Sequence, residues 1–391
     1  MSVPAVRLSL LQALSFGAMG AVLPFLALEL RAGGVSPVGV TVAMVSVPVA
    51  SLVLGPVWGW ASDRAGQIRG GLGLAAIFAV LGAVVLVGLP VWVAVVGALL
   101  FAVGRSGLSP LVEAASLHSV DRDPGRYARL RRWGSAGFLA SVLLSGLMRD
   151  YLDLSSFWLG LGLGIGVLAM VFALPAAPPR DREPLGPALA QLIRDPVVAL
   201  ILVASALHFA GIAIYDGFFA VHLEGLGHGT TWVGVAAVLG IGVEVAVLSL
   251  AAWMVRRAGP SALFVGAMLL NVPRWAVMIF WTDPYWVVPI QAVHGLAFGA
   301  FWVAAIALIS ARAPSRLIGS VQGLLAAAAG GVGAGLGNGL GSALIATGDS
   351  WRLFSAALVL ASSATVVAAI AVFLHDRTRL QRTGDGLENA A

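Results

Sequence analysis

Seven ionisable side chains interrupt stretches that are otherwise apolar: Arg105, Glu113, His208, Asp216, Glu244, Arg274 and His294. An ionised group at the centre of a bilayer costs about 2.5 to 3.5 kcal/mol on insertion scales, so such residues face one another, a cavity or a solute. Arg105 and Glu113 are eight residues apart, about 12 Å along a helix and 80° around it, so they cannot pair directly. Each needs a partner on another helix or in a solute. Glu113 and Arg131 flank the connection 119–129 and can meet if their helices pack antiparallel. Glu244, Arg274 and His294 fall in three consecutive apolar stretches, which suits a shared cavity better than a static brace.

Other chemistry is excluded by composition. The chain has no Cys, and all 23 of its basic residues are Arg, which removes thiol catalysis, Cys-ligated metal centres, Schiff-base lysines and the P-loop lysine. His222-x-Glu224-x-x-x-His228 lies in a polar connection and reads as solvated loop. Gly162-x-Gly164-x-Gly166 sits inside an apolar stretch and reads as a packing face. No nucleophile with an adjacent base and no pair of carboxylates at catalytic spacing is present, so neither an enzyme nor a metal or cofactor site is expected.

The elements that position these residues follow from hydropathy. Of 391 residues, 59% are hydrophobic and 10% charged, against about 25% charged in a soluble domain. Apolar stretches run over 6–30, 37–60, 70–89, 91–117, 130–148 and 155–174, then over 196–223, 231–255, 261–281, 285–311, 317–346 and 351–374. A span needs about 20 residues, so the expectation is an all-α integral membrane protein of twelve transmembrane helices in two six-helix bundles. The bundles are 1–175 and 196–375, with a linker at 176–195 and a tail at 376–391. Seventeen arginines fall on the connections that share a side with both termini and three on the opposite side, the rest being Arg7, Arg105 and Arg274. That bias places both termini in the cytoplasm. It also assigns the net charge of +5 to a membrane surface rather than to nucleic acid.

Trp60, Arg64, Ala65 and Gly66 recur as Trp253, Arg257, Ala258 and Gly259 at an offset of 193, which points to duplicated bundles. The first copy, with Gly59, Asp63, Arg64 and Gly66, resembles the signature loop between helices two and three of the major facilitator superfamily. The resemblance implies a gating role for these four residues. The segment Val112-Glu113-Ala114, Arg131 and Trp133 to Phe138 is similar to helices four and five of lactose permease-type proton symporters. Glu244, Arg274 and His294 match that type in order. Arg274-Trp275, Gln291-x-x-His294 and Phe298-Gly299 look most like the 3-phenylpropionate permease group. By resemblance, Arg105, Glu113, Arg131, Phe138, Arg274, Gln291 and His294 bind solute, while Asp216, Glu244 and His294 couple it to protons. The symporters' proton-carrying Glu is replaced by Ala297, and the lysines that pair with their helix-seven acids are missing. Asp216 and Glu244 thus become rival carriers.

These features imply a secondary transporter working by alternating access, most simply a proton-coupled symporter of an aromatic carboxylate or sugar-like solute. A proton-coupled efflux antiporter and a non-transporting scaffold share the fold. The expected partners are a small solute, protons and lipid, and the expected form is a monomer in a bacterial inner membrane. Because the chain has no Cys, topology is directly testable. A membrane-impermeant thiol reagent applied to intact cells should label Asp283→Cys and leave Arg182→Cys untouched; the reverse pattern would invert the orientation.

Overall fold

Hydrocarbon offers no water to backbone N–H and C=O groups, so a spanning segment must satisfy them internally, as an α-helix does. The computed structural model describes residues 3–65, 68–88, 90, 93–119, 124–173, 192–313 and 318–388, and these hold helices and short connections with no strand among them. The helices are α1 (Ala5–Ala32), α2 (Pro37–Ala65), α3 (Ile68–Gly88), α4 (Ala94–Ser119), α5 (Pro124–Leu152), α6 (Ser156–Phe172), α7 (Pro196–Gly225), α8 (231–258), α9 (260–280), α10 (Pro284–Ser310), α11 (Val321–Ile345) and α12 (Trp351–Glu388). Ten are long and apolar enough to cross a membrane. Of the other two, α6 is apolar but has 17 residues, and α5 has 29 residues but carries Arg126, Arg129, Arg131, Arg132, Arg149 and Asp150. α12 continues into the expected tail as helix, to Glu388.

Most of the expected linker lies outside the described residues, but its last residue starts the second half. Asp195 caps α7, accepting from the backbone N–H of Val197 at 2.9 Å and of Val198 at 3.2 Å, with Pro196 pre-set at the first helical position. Burial alone would push the Asp195 carboxyl up, yet the Arg312 guanidinium at 2.9 Å and these amides outweigh it and hold it below the usual carboxylate range. Breaks in the helices have local causes. Gly259 adopts φ 79°, a conformation that suits glycine, and with Pro260 it separates α8 from α9. Pro24 accompanies a 3-10 turn within α1, and a π-helical stretch at Ala327–Gly333 interrupts α11.

Lipid removes the hydrophobic drive between helices, so close backbone approach at small residues takes its place. In the first half α1 packs on α5 and α6, and α4 on α2 and α3; in the second α8 packs on α10, and α7 on α11 and α12. A Cβ added at Gly137 of α5 would strike the backbone of Ala13 in α1, and one at Gly295 of α10 the carbonyl of Gly240 in α8. The halves meet through α5 with α8, α2 with α11 and α1 with α7. Asn338 donates to the carbonyl of Met44 at 2.9 Å, and Gly234 sits against Leu143. These pairs lie from mid-span to the end opposite the termini.

Gly137→Val should therefore lower the melting temperature of the purified protein in detergent, with about 1 to 3 kcal/mol lost to overpacking. Gly162→Ala, where no atom lies within 4 Å of the added carbon, should leave it unchanged.

Candidate functional site

A cavity of about 440 Å³ opens where the halves meet, within the usual range of roughly 300 to 1,000 Å³ for small-molecule sites. Of the residues expected at the site, Arg105, Arg131 and Phe138 reach it from α4 and α5, and Asp216, Glu244 and His294 from α7, α8 and α10. Phe16, Phe209, Tyr215, Phe219 and Phe298 complete a largely aromatic wall that the sequence reading did not assemble. These rings come from three helices whose apolar residues gave no sign of which would face the lumen.

The charged groups divide into engaged and open ones. Glu113 and Arg131 do pair, with Nε to Oε1 at 2.9 Å. Glu113 also accepts from the Tyr127 hydroxyl and from Gln12 at 3.4 Å, and the Arg131 guanidinium lies 4.0 Å from the ring of Phe16. Glu113 is thus held beside the cavity and does not line it. Arg105 donates through Nη1 to Ser51 at 2.8 Å, and its buried Nε has no hydrogen-bond partner. Asp216 is exposed while its neighbours from Gly211 to Leu223 are buried. It opens onto both this cavity and a smaller chamber next to α2 and α11, and Arg105 lines the same two spaces. Among the described residues neither Asp216 nor Glu244 has a side-chain hydrogen bond or an ion pair.

Two further residues expected to bind solute lie off the cavity. Arg274 and Gln291 are wholly buried and do not line the cavity. Arg274 donates to Gln291 Oε1 through Nε at 3.0 Å and Nη2 at 2.7 Å and to Asn271 Oδ1 at 3.1 Å, and it stacks against Trp275 and Tyr215. Gln291 in turn donates to the Val287 carbonyl at 2.7 Å. Neutral acceptors and ring faces thus satisfy the cation behind the cavity wall. His294 keeps its place, beside Tyr215 and Phe298.

For the signature loop, Arg64 is exposed with its guanidinium 5.5 Å from the Trp60 ring, and Gly59 lies in α2. The Asp63 side chain and Gly66 lie outside the described residues. At the other end polar contacts join the halves, in residues that, Arg149 and Glu224 aside, the sequence reading had not singled out. Asp150, at the end of α5, accepts from the Thr230 N–H and hydroxyl, both at 2.8 Å, and from the Thr231 N–H at 2.7 Å. It thereby caps the N-terminus of α8 from the other half. Thr230 makes no side-chain cap of its own, and a Cβ at Gly229 would come within 2.6 Å of the carboxylate. Next to it Arg149 joins Glu29 of α1 at 3.1 Å and Glu224 of α7 at 2.9 Å.

Two helix sets thus surround one cavity, and polar contacts join them near one end. The chain belongs to the MFS_1 like family, whose model matches residues 5–356. It is 28% identical over 376 residues to a maltose permease of Geobacillus stearothermophilus, covering 92% of each chain. It is 27% identical over 221 residues to a probable 3-phenylpropionic acid transporter of Escherichia coli (strain K12), covering 54% of this chain and 57% of that one. Among solved structures, the nucleoside transporter NupG superposes with TM-score 0.81 at 16% identity, over 96% of this chain and 99% of that one. The POT family transporter PepTSo gives 0.72 at 11%, over 97% and 99%. The chain is accordingly a transporter of small solutes and not an enzyme.

Burial alone would raise the Asp150 carboxyl, but the donors of Thr231 and Thr230 outweigh it and hold its pKa below the ordinary value. Its contribution to closure is therefore complete above the ordinary carboxylate range and is lost only as pH falls through the lowered pKa. A hydrogen bond to a charged group is worth about 1.5 to 3 kcal/mol, so Asp150→Ala should raise labelling of a cavity cysteine, Ala236→Cys, from the latched face tenfold or more. With Asp150 intact, labelling of Ala236→Cys, divided at each pH by the labelling of the unfolded protein to remove the thiol's own pH dependence, should stay flat between pH 5 and 8.

Proposed function

We propose that this chain is a proton-coupled importer of a small aryl carboxylate. The carrying observation is the set of open charges. Among the described residues, Arg105 offers a cation with no carboxylate on it and Asp216 and Glu244 offer two carboxylates with no donor, and aromatic rings line the same cavity. A guanidinium recognises a carboxylate by charge-assisted hydrogen bonds, the rings pack an aryl group, and an open carboxylate facing the cavity can take up a proton.

A sugar is the second reading, favoured by the relative named maltose permease over 92% of both chains. It draws on Glu113 as hydroxyl acceptor, and Glu113 is already occupied by Arg131, Tyr127 and Gln12. The relative named probable 3-phenylpropionic acid transporter supports the first reading.

Transport proceeds with the bundles 1–175 and 196–375 rocking about this cavity in a monomer. Both termini lie in the cytoplasm of a bacterial cell, and the protein sits in the inner membrane. In that orientation the Arg149 and Asp150 latch is the outer gate and the described arrangement is inward-facing. Asp63 and Arg64 act at the inner gate, with Gly59 and Gly66 part of the same gating segment. Outward opening requires Thr230, Thr231 and Glu224 to leave their α5 partners.

Proteoliposomes with an imposed inside-alkaline gradient test the reading. Labelled 3-phenylpropionate should enter faster than it enters protein-free vesicles, which the undissociated acid crosses unaided, and maltose should not enter. Arg105→Gln should weaken 3-phenylpropionate binding at least tenfold, about 1.4 kcal/mol, while Glu113→Gln leaves it within a few-fold. Maltose uptake abolished by Glu113→Gln would establish the sugar reading instead.

A further inference from the structure

We infer that the first half binds one buried water molecule, bridging Arg105 to Ser15 and Ser109, and that this water fixes the end of Arg105 that receives the solute. The water site stands on the geometry of the first half alone, and its effect on binding rests on the aryl-carboxylate reading above. A second, much smaller cavity of about 20 Å³ lies between α1, α3, α4 and α6. Small residues leave this space, among them Ala76 and Ala79 of α3 and Gly160 and Gly164 of α6. A water molecule needs roughly 10 to 15 Å³ of such space, so the cavity takes one water and no organic solute.

Arg105, Ser15 and Ser109 bring the polar groups that line it. Arg105 Nε and Ser15 Oγ are buried atoms without a hydrogen-bond partner in the protein, and leaving a buried donor unpaired is costly. Ser109 donates to Met19 Sδ at 3.6 Å, so its oxygen is still able to accept. One water answers all three groups. It accepts from Arg105 Nε and from the Ser15 hydroxyl and donates to Ser109 Oγ, the usual complement of about three hydrogen bonds for a buried water. A chloride ion would accept from the same two donors, yet it offers nothing to the Ser109 oxygen and would cancel the charge that a carboxylate solute needs.

Arg105 lines this small cavity and the solute cavity at once. Its Nη1 already donates to Ser51 of α2 at 2.8 Å. With Nε on the water, the planar guanidinium is held at two points, and the N–H groups left over belong to the tip formed by Nη1 and Nη2. A solute carboxylate therefore docks end-on at that tip and not along the Nε side. Neither serine lines the solute cavity. Both are positioning residues that act on Arg105 through the water.

A crystallographic map of the full-length protein that resolves ordered water tests the site directly. Density within hydrogen-bond reach of both Arg105 Nε and Ser15 Oγ is expected; a map that shows ordered water elsewhere among the helices and none there overturns the inference. Crystals grown with bromide in place of chloride separate the two occupants, since an anomalous peak in the cavity would replace the water with a halide. Calorimetry with 3-phenylpropionate tests the positioning. The double variant Ser15→Ala, Ser109→Ala should bind roughly three- to tenfold more weakly than the parent protein. Added to Arg105→Gln, the same two changes should cost less than about twofold, because the water acts only through the guanidinium. Equal losses in the two backgrounds assign the serines to packing and overturn the positioning role. Absence of 3-phenylpropionate binding to the parent protein overturns the aryl-carboxylate reading, and the positioning role with it, while the map still decides the water. The map also decides it if the serine variants fail to fold.

Discussion

The absence of water inside the bilayer governs this protein at every scale. Backbone groups that cannot reach solvent must pair within each segment, which makes the chain helical. Helices that gain nothing by leaving lipid for protein associate through backbone contact, which places Gly137 on Ala13 and Gly295 on Gly240. Charged side chains under the same constraint must find a partner, a ring face or a hydrated lumen. Arg131 takes Glu113, Arg274 takes amide oxygens and rings, and Asp216 and Glu244 take the lumen.

The same constraint separates contacts that can break from those that cannot. Within a half, glycine faces press backbone against backbone, and parting them would open voids that neither water nor lipid fills well. Between the halves at the sealed end, the contacts include carboxylates, hydroxyls and helix N-terminal amides at Asp150, Thr230 and Thr231, and the ion pair of Arg149 with Glu224. Each of these groups can be rehydrated when the face opens. Halves packed through glycine faces and joined by hydratable contacts suit the rocking motion proposed above.

Much of the fold was legible because its signals are local. Apolar length marked most helices to within a few residues, the end of α12 excepted, and the repeat ending at Gly259 fell on the positive-φ break between α8 and α9. The pairing of Glu113 with Arg131 was readable too, since a short connection makes α4 and α5 antiparallel neighbours in sequence. Arg274 and Gln291 were placed at the solute by likeness, and packing shows them sealed behind Tyr215 and Trp275. Asp150 carried no local mark of its role, because the amides it caps belong to a helix 80 residues further along the chain.

What the sequence determined by itself was that its apolar segments must be helices of a membrane protein, and which few charges must find partners. Only the tertiary structure decided where each side chain faces. A soluble helix declares its inner side through a polar outer one, but here lipid-facing and core-facing residues are equally apolar. Leu, Val and Phe therefore record burial in hydrocarbon without saying whether that hydrocarbon belongs to lipid, to a neighbouring helix or to the wall of a cavity.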